Sequence, residues 1–286
     1  MNLILRNRRT GKILLRHIIL IYSLSLPLST INPHTTPQLQ AMAFPSPTKT
    51  WHSTVYPSVS PSRPELSVAG KVVLITGAGS GLGPHIAHAF ATAGSTSIAL
   101  LGRTLSTLQN TAASLKSSFP SIKVLTFVAD IVDKPAVDAA FAETKAKLGP
   151  IDILVSNAAY FPDAALIGDA DIDEWWKGFD VNLKGNLVLV QAFLKNMAER
   201  PTILHVTTAG AHIPAIPSLS GYAVSKLASL KFFEYVAAEY PQVRVMNIHP
   251  GAMDTAMGAK ASNSGVKIPM DDSESIYQSS FSLGWS

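Results

Sequence analysis

Tyr222 and Lys226 lie four residues apart in a stretch of helical period, which sets both on one face of a helix. An ammonium beside a phenol favours the phenolate. A free tyrosine titrates near 10, so proton transfer near neutral pH needs a shift of about three units, or roughly 4 kcal/mol. Upstream, at the end of an apolar run, Thr207 and Thr208 carry hydroxyls that suit the holding of a carbonyl oxygen. Alone the pair says little, because a tyrosine four before a lysine arises about 0.4 times by chance in a chain of this composition.

A second chemistry-bearing stretch is Thr76-Gly77-Ala78-Gly79-Ser80-Gly81-Leu82-Gly83. It follows an apolar run and opens a helical segment. Glycines let a backbone turn sharply and approach a pyrophosphate, whose charge is favoured at a helix N-terminus. The other reading is a loop that merely turns the chain. No Lys-Ser/Thr pair closes the stretch, so a Walker-type phosphate loop is excluded. Gly102-Arg103 ends the next apolar run. An acid there would bind ribose hydroxyls, whereas an arginine accommodates a 2′-phosphate, which favours NADP(H) over NAD(H). A helix-start arginine is the alternative.

These residues need a frame. Short apolar runs at 72–75, 97–101, 123–129, 151–156, 202–206 and 244–248 alternate with helix-period segments near 84–93, 104–118, 134–148, 171–198 and 221–239. The best-defined runs are apolar on both parities, which suits strands buried on two faces. Strict alternation predicts a doubly wound parallel α/β sheet with ligands at the carboxyl ends of its strands. Pro84 suits a first helical position. The polar, glycine-rich and reactive residues all follow apolar runs, where that rule would have them.

The body, from about Lys71 to Thr255, resembles the short-chain dehydrogenase/reductase family in its compact single-domain branch. The resemblance is collinear through the glycine turn, Asp130, Asn157, Asn182, Tyr222-x-x-x-Lys226 and Pro250-Gly251. It implies a Rossmann-like, three-layer fold and an oxidoreductase that interconverts a carbonyl and an alcohol. It further implies that Gly77, Gly79, Gly81 and Gly83 form the cofactor turn, with Leu82 beside the cofactor. Asp130 would bind adenine, and Ser156-Asn157-Ala158-Ala159 would line the cofactor. Tyr222 would be the general acid or base. Lys226 would hold the nicotinamide ribose and lower the tyrosine pKa. Asn182 would anchor a proton-relaying water. Gly251, Met253 and Thr255 belong to a loop holding the nicotinamide carboxamide, through the Met253 backbone and the Thr255 hydroxyl. The cofactor implied is NADP(H), with NAD(H) as the alternative, and the other partners are a small carbonyl or alcohol substrate and a second copy of the chain.

Departures from the family pattern carry expectations of their own. The usual Asn-Asn-Ala-Gly reads Ser156-Asn157-Ala158-Ala159. The substrate-orienting serine is a threonine, Thr208 being better aligned than Thr207, and its methyl narrows the pocket. After Thr255 only 31 residues remain, without a strong seventh strand. That predicts a truncated or altered C-terminus and an exposed edge on the sixth strand. It also motivates a second reading, a catalytically weakened NADP(H)-binding protein that acts through its partners.

Composition narrows the remaining choices. The formal charge of +4 divides unevenly: residues 1–41 hold five basic and no acidic residues, and the rest balance to within one charge. A nucleic-acid surface is therefore not indicated. Without cysteine the chain has no disulfides, thiolate zinc sites or cysteine nucleophile. His85 and His88 share a helix face but have no evident third ligand, so no metal is expected. Trp175-Trp176 and the apolar helix over 183–194 read as core or a subunit-packing surface. The apolar run within 18–28 is too short to span a bilayer. Residues 1–41 read as a mitochondrial or secretory leader, or as an extension ahead of Met42, in which case the protein is cytoplasmic. Residues 42–69 read as a Pro/Ser-rich arm, and 70–286 as the single folded domain.

Overall fold

A computed structural model describes Pro57, residues 60–251, Met253 and residues 255–263. Residues 1–41, most of residues 42–69 and the last 23 residues, on which the expectations of a leader and of a truncated C-terminus fall, lie outside the described residues.

Six parallel strands form one sheet in the order β3-β2-β1-β4-β5-β6. They are β1 (Val72–Thr76), β2 (Ser97–Gly102), β3 (Lys123–Val128), β4 (Ile151–Ser156), β5 (Met197–Val206) and β6 (Arg244–Ile248). Each matches an apolar run of the sequence. The two-faced burial expected of parallel strands is clearest in β1. Val73 and Ile75 face a core with Ile86 and Phe90 of α1 (Leu82–Thr92) and Leu108 and Leu115 of α2 (Leu105–Ser118). Val72 and Leu74 face a second core with Phe141 of α3 (Lys134–Leu148), Phe193 of α5 (Asn186–Asn196) and Phe233 of α6 (Ser220–Glu239). The result is a three-layer α/β fold with its topological switch between β1 and β4, where a crevice opens at the strand ends.

Four details differ from expectation. α1 begins at Leu82, so Pro84 is its third residue, still within the first turn where amides have no intrahelical acceptor. The helix expected over 171–198 is three pieces: α4 (Ile172–Phe179), a π-helical turn Asp180–Gly185, and α5. The π turn arises where Asn182 turns inward and grips another loop, as described below. β5 starts five residues earlier than its apolar run. Met197 pairs with Ile151, then the register shifts and Thr202 pairs with Ile153, so residues 198–201 bulge out and take Pro201 with them. β6 is an edge strand among the described residues. It leads to α7 (Ala256–Asn263), a helix that periodicity had not indicated.

Candidate active site

The glycine turn is held by its neighbours across the crevice. The Thr76 hydroxyl donates to Val155 O (3.2 Å) and accepts from the amides of Asn157 (3.0 Å) and Ala158 (3.1 Å). Asn157 Nδ2 donates to Thr76 O (2.9 Å) and Gly77 O (3.3 Å). Asn157 and Ala158 thus brace the turn from the end of β4. Gly77 sits at φ +64°, a conformation that L side chains rarely adopt, and a Cβ there would meet Asn157 Nδ2 at 2.9 Å. A Cβ on Gly83 would come within 2.2 Å of Gly77 O, so only glycine lets α1 start against the turn. Gly81 is the N-cap of α1 and supplies no side-chain cap. Gly83 N donates to Ser80 O (3.1 Å) and Pro84 has no N–H, so the α1 N-terminus offers an anion its dipole rather than a row of free amides, and a turn this tight around its glycines fits the pyrophosphate of a dinucleotide.

The other expected cofactor residues gather around this cradle. Thr255, beyond β6, lies against the turn, its Cγ2 3.7 Å from where a Gly81 Cβ would be. Met253 is buried and Gly251 sits at φ +85°. Thr255 folds its own loop, its amide donating to Met253 O and its hydroxyl accepting from Gly258 N (3.0 Å). At the far end Arg103 lies exposed after β2, its Nη1 4.0 Å from Asp130 Oδ2 after β3. Asp130 also caps its own loop, accepting from Val132 N (3.1 Å).

The residues expected to handle the proton cluster on α6 and the strand ends beside it. Lys226 is buried and donates to Val206 O (2.6 Å). Asn182 is fully buried in the π turn. Its Nδ2 donates to Tyr160 O (2.9 Å) and to Ser225 Oγ (2.9 Å), and its Oδ1 accepts from Tyr160 N (2.8 Å). Ser225 in turn donates to Tyr222 O (2.8 Å), which ties Asn182 to the turn of α6 that bears both Tyr222 and Lys226. The Tyr222 ring packs on Phe161 with centroids 4.6 Å apart. No hydrogen bond joins the Tyr222 hydroxyl to Lys226 or Thr208 among the described residues.

Thr208 is half-buried, and its hydroxyl accepts from Gly210 N (3.2 Å), which caps a short turn at Ala209–Ala211. That bond uses an oxygen lone pair and leaves the hydroxyl proton to give. Thr207 is buried, with its Oγ1 unpartnered among the described residues.

Burial governs the titration of the central pair. It pushes Tyr222 up to about 12 and Lys226 down to about 7. The phenol is therefore a neutral donor in the protein alone, and the expected lowering by Lys226 does not appear there. Desolvation outweighs the one-turn proximity on which that expectation rested.

Sequence reasoning missed two features. Phe161 gave no signal beyond an aromatic in a loop. His205 did, as a lone polar residue inside the apolar run Ile203-Leu204-His205-Val206. It is buried, stacked on Phe233, with Nδ1 3.4 Å from Ser156 Oγ and Nε2 3.1 Å from Ser229 Oγ, and burial holds its pKa far below the usual value. Among the described residues no cluster of His, Asp and Glu could hold a metal ion, and His88 Nε2 lies 3.0 Å from Ser114 Oγ.

Comparison with known proteins places this geometry. Residues 71–265 match the family model described as short chain dehydrogenase. The chain belongs to that family. The curated relatives of this dehydrogenase include the short chain dehydrogenase mpl6 of Monascus purpureus, 34% identical over 76% of this chain and 78% of the relative. Among solved structures, levodione reductase is 30% identical, with a TM-score of 0.65, over 68% of this chain and 77% of its own. A short chain dehydrogenase from Burkholderia cenocepacia, solved in complex with NADP, is 26% identical with a TM-score of 0.65, over 73% of this chain and 88% of its own. The protein is thus an NAD(P)-dependent oxidoreductase acting on CH–OH or C=O groups, and the reading of a non-catalytic binding module is not favoured. No helix among the described residues is long and apolar enough to cross a membrane.

Proposed function

We propose that the protein is an NADP(H)-dependent carbonyl reductase or alcohol dehydrogenase in which Tyr222 exchanges the proton and Thr208 orients the substrate oxygen. The observation that carries this reading is the convergence on α6: Tyr222 and Lys226 one turn apart, linked through Ser225 to the buried Asn182.

The cofactor would lie with its pyrophosphate at Gly77–Gly83, its adenine toward Asp130 and its nicotinamide toward Met253 and Thr255. Arg103, exposed and only loosely engaged with Asp130, is free to meet a 2′-phosphate, and the NADP complex of the Burkholderia relative supports that choice. When bound, the cofactor supplies or accepts the hydride. In the reductive direction Thr208 donates a hydrogen bond to the carbonyl oxygen, and the neutral Tyr222 phenol gives it a proton. In the oxidative direction the phenol must ionise, and a protonated Lys226 held beside the ribose stabilises the phenolate. Asn182 keeps this part of α6 in place and offers the site for a proton-relaying water. Leu187 of α5 and Val224 and Leu227 of α6 are apolar yet 44–46% exposed, which supports a homo-oligomer packed through these helices.

The test is turnover over a panel of carbonyl and alcohol substrates with NADPH and NADH. Tyr222→Phe is expected to lower kcat at least about 100-fold while leaving NADPH affinity within about twofold. Undiminished turnover in that variant would sink the reading.

A further inference from the structure

His205 is buried near the end of β5, with Ser156 of β4 as its register partner across the sheet. Its ring stacks on Phe233 of α6, centroids 4.3 Å apart, and its two nitrogens face two buried hydroxyls. Nε2 lies 3.1 Å from Ser229 Oγ and Nδ1 lies 3.4 Å from Ser156 Oγ. Each serine passes the contact on. Ser229 Oγ donates to Lys226 O (3.0 Å), three residues back along α6. Ser156 Oγ donates to Asn186 Oδ1, and Asn186 Nδ2 donates to Asn182 O (2.5 Å). Asn182 also donates to Ser225, so the series leaves α6 on one side of Lys226 and returns to it on the other. All six of these side chains are at most 1% exposed.

Lys226 is thereby held at both ends by consecutive residues of β5. Its carbonyl reaches His205 through Ser229, and its ammonium donates to Val206 O (2.6 Å). Both serine protons are committed, to Lys226 O and to Asn186 Oδ1, so each serine oxygen meets the imidazole as an acceptor. A neutral imidazole has one N–H to give. The shorter contact favours its placement at Nε2, which makes a continuous run from Nε2–H through the Ser229 hydroxyl to Lys226 O. Burial first, and the charge of Lys226 second, hold the imidazole pKa far below its usual value, so the ring is neutral and does not oppose the ammonium.

We propose that His205 is a positioning residue: by donating to Ser229 it fixes the turn of α6 that carries Lys226 against the end of β5, and so sets where the ammonium stands beside the cofactor ribose and the Tyr222 phenol. The proposal rests on the reading of Tyr222 and Lys226 as the proton-exchanging pair.

Three variants of the full chain divide the contacts of the ring. Glutamine puts an amide group about where Nε2 stands, and asparagine about where Nδ1 stands. Phenylalanine keeps the stack on Phe233 and offers neither. In alcohol oxidation, His205→Asn and His205→Phe are expected to lower kcat about tenfold and to move the rising limb of the pH profile up by about one unit, because a displaced ammonium no longer favours the phenolate. The same two variants should bind NADPH about fivefold more weakly, as expected for one lost hydrogen bond at the ribose. His205→Gln is expected to restore all three readouts to within about twofold of wild type.

Equal pH profiles and equal NADPH affinities in His205→Asn and His205→Gln would overturn the proposal, whatever their melting temperatures, and leave a histidine that only packs. Should His205→Phe fail to fold, the other two variants decide alone. If no alcohol turns over in wild type, or if Tyr222→Phe is fully active, it is the reading of the site that fails. The placement of Lys226 is then judged by NADPH binding in calorimetry. Binding about fivefold weaker in His205→Asn than in His205→Gln supports it, and equal binding overturns it.

Discussion

Lys226 shows the conflict between function and stability at its sharpest. Burial lowers its pKa from 10.5 to about 7, so between those values the unfolded chain holds a proton that the native protein lacks. Stability from this group therefore rises with pH from about 7 toward 10.5 and is lost again as pH falls through 7. Lys226→Met keeps the length of the side chain and removes the ionisable group. It is expected to abolish turnover yet to make the protein about 1–3 kcal/mol more stable at pH 7, with the advantage shrinking by pH 9. Urea titrations at the two pH values read this directly, and a variant less stable at pH 7 would contradict it. His205 acts in the same sense at lower pH. Its depressed pKa makes the fold lose stability as pH falls below about 6.5.

The π turn joins the residue to the element. Asn182 satisfies both backbone groups of Tyr160 and reaches Ser225, so one buried amide links α4–α5, the β4–α4 loop and α6. Removing it would leave a buried N–H and C=O unpaired. Asn182→Ala is expected to cost about 2–4 kcal/mol in chemical denaturation, and Asn182→Asp no less, because Oδ2 would set a buried acceptor against Tyr160 O where Nδ2 now donates. If the alanine variant unfolds like wild type, the loop is held by something other than this amide. Helical period could not reveal the π turn, because one additional residue in a turn barely disturbs an apolar pattern over 25 positions. The early start of β5 was hidden likewise. Ala198-Glu199-Arg200-Pro201 carries no strand signal, and it belongs to the strand only through the pairing of Met197 with Ile151.

Across the whole molecule, the cofactor cradle is assembled from the ends of β1, β4 and β6 and the beginning of α1, so binding should stabilise the entire domain. NADPH at about 100 times its Kd is expected to add about 2.7 kcal/mol and raise the melting temperature by about 5–10 °C. Arg103→Ala should cut the rise given by NADPH and leave that given by NADH unchanged. An equal response of wild type to both cofactors would remove the case for a 2′-phosphate at Arg103. Both outcomes are read by thermal melts at equal concentrations of the two cofactors.

Six strands, their parallel arrangement and the residues that follow them were legible in the chain itself. Two-faced apolar runs, a glycine turn and a tyrosine one helical turn before a lysine are local signals, encoded by neighbours in sequence and independent of what lies across the fold. The positions named for the cofactor and for proton transfer fall at the strand ends for the same reason. The tertiary structure alone decided which distant groups meet. It put Phe161 on Tyr222, brought Lys260 to a loop 97 to 100 residues earlier, and enclosed the half-buried Tyr222 and buried Lys226 enough for desolvation to override their proximity. Contacts between loops and the loss of water around a charge depend on the packed whole, and no window of sequence contains them.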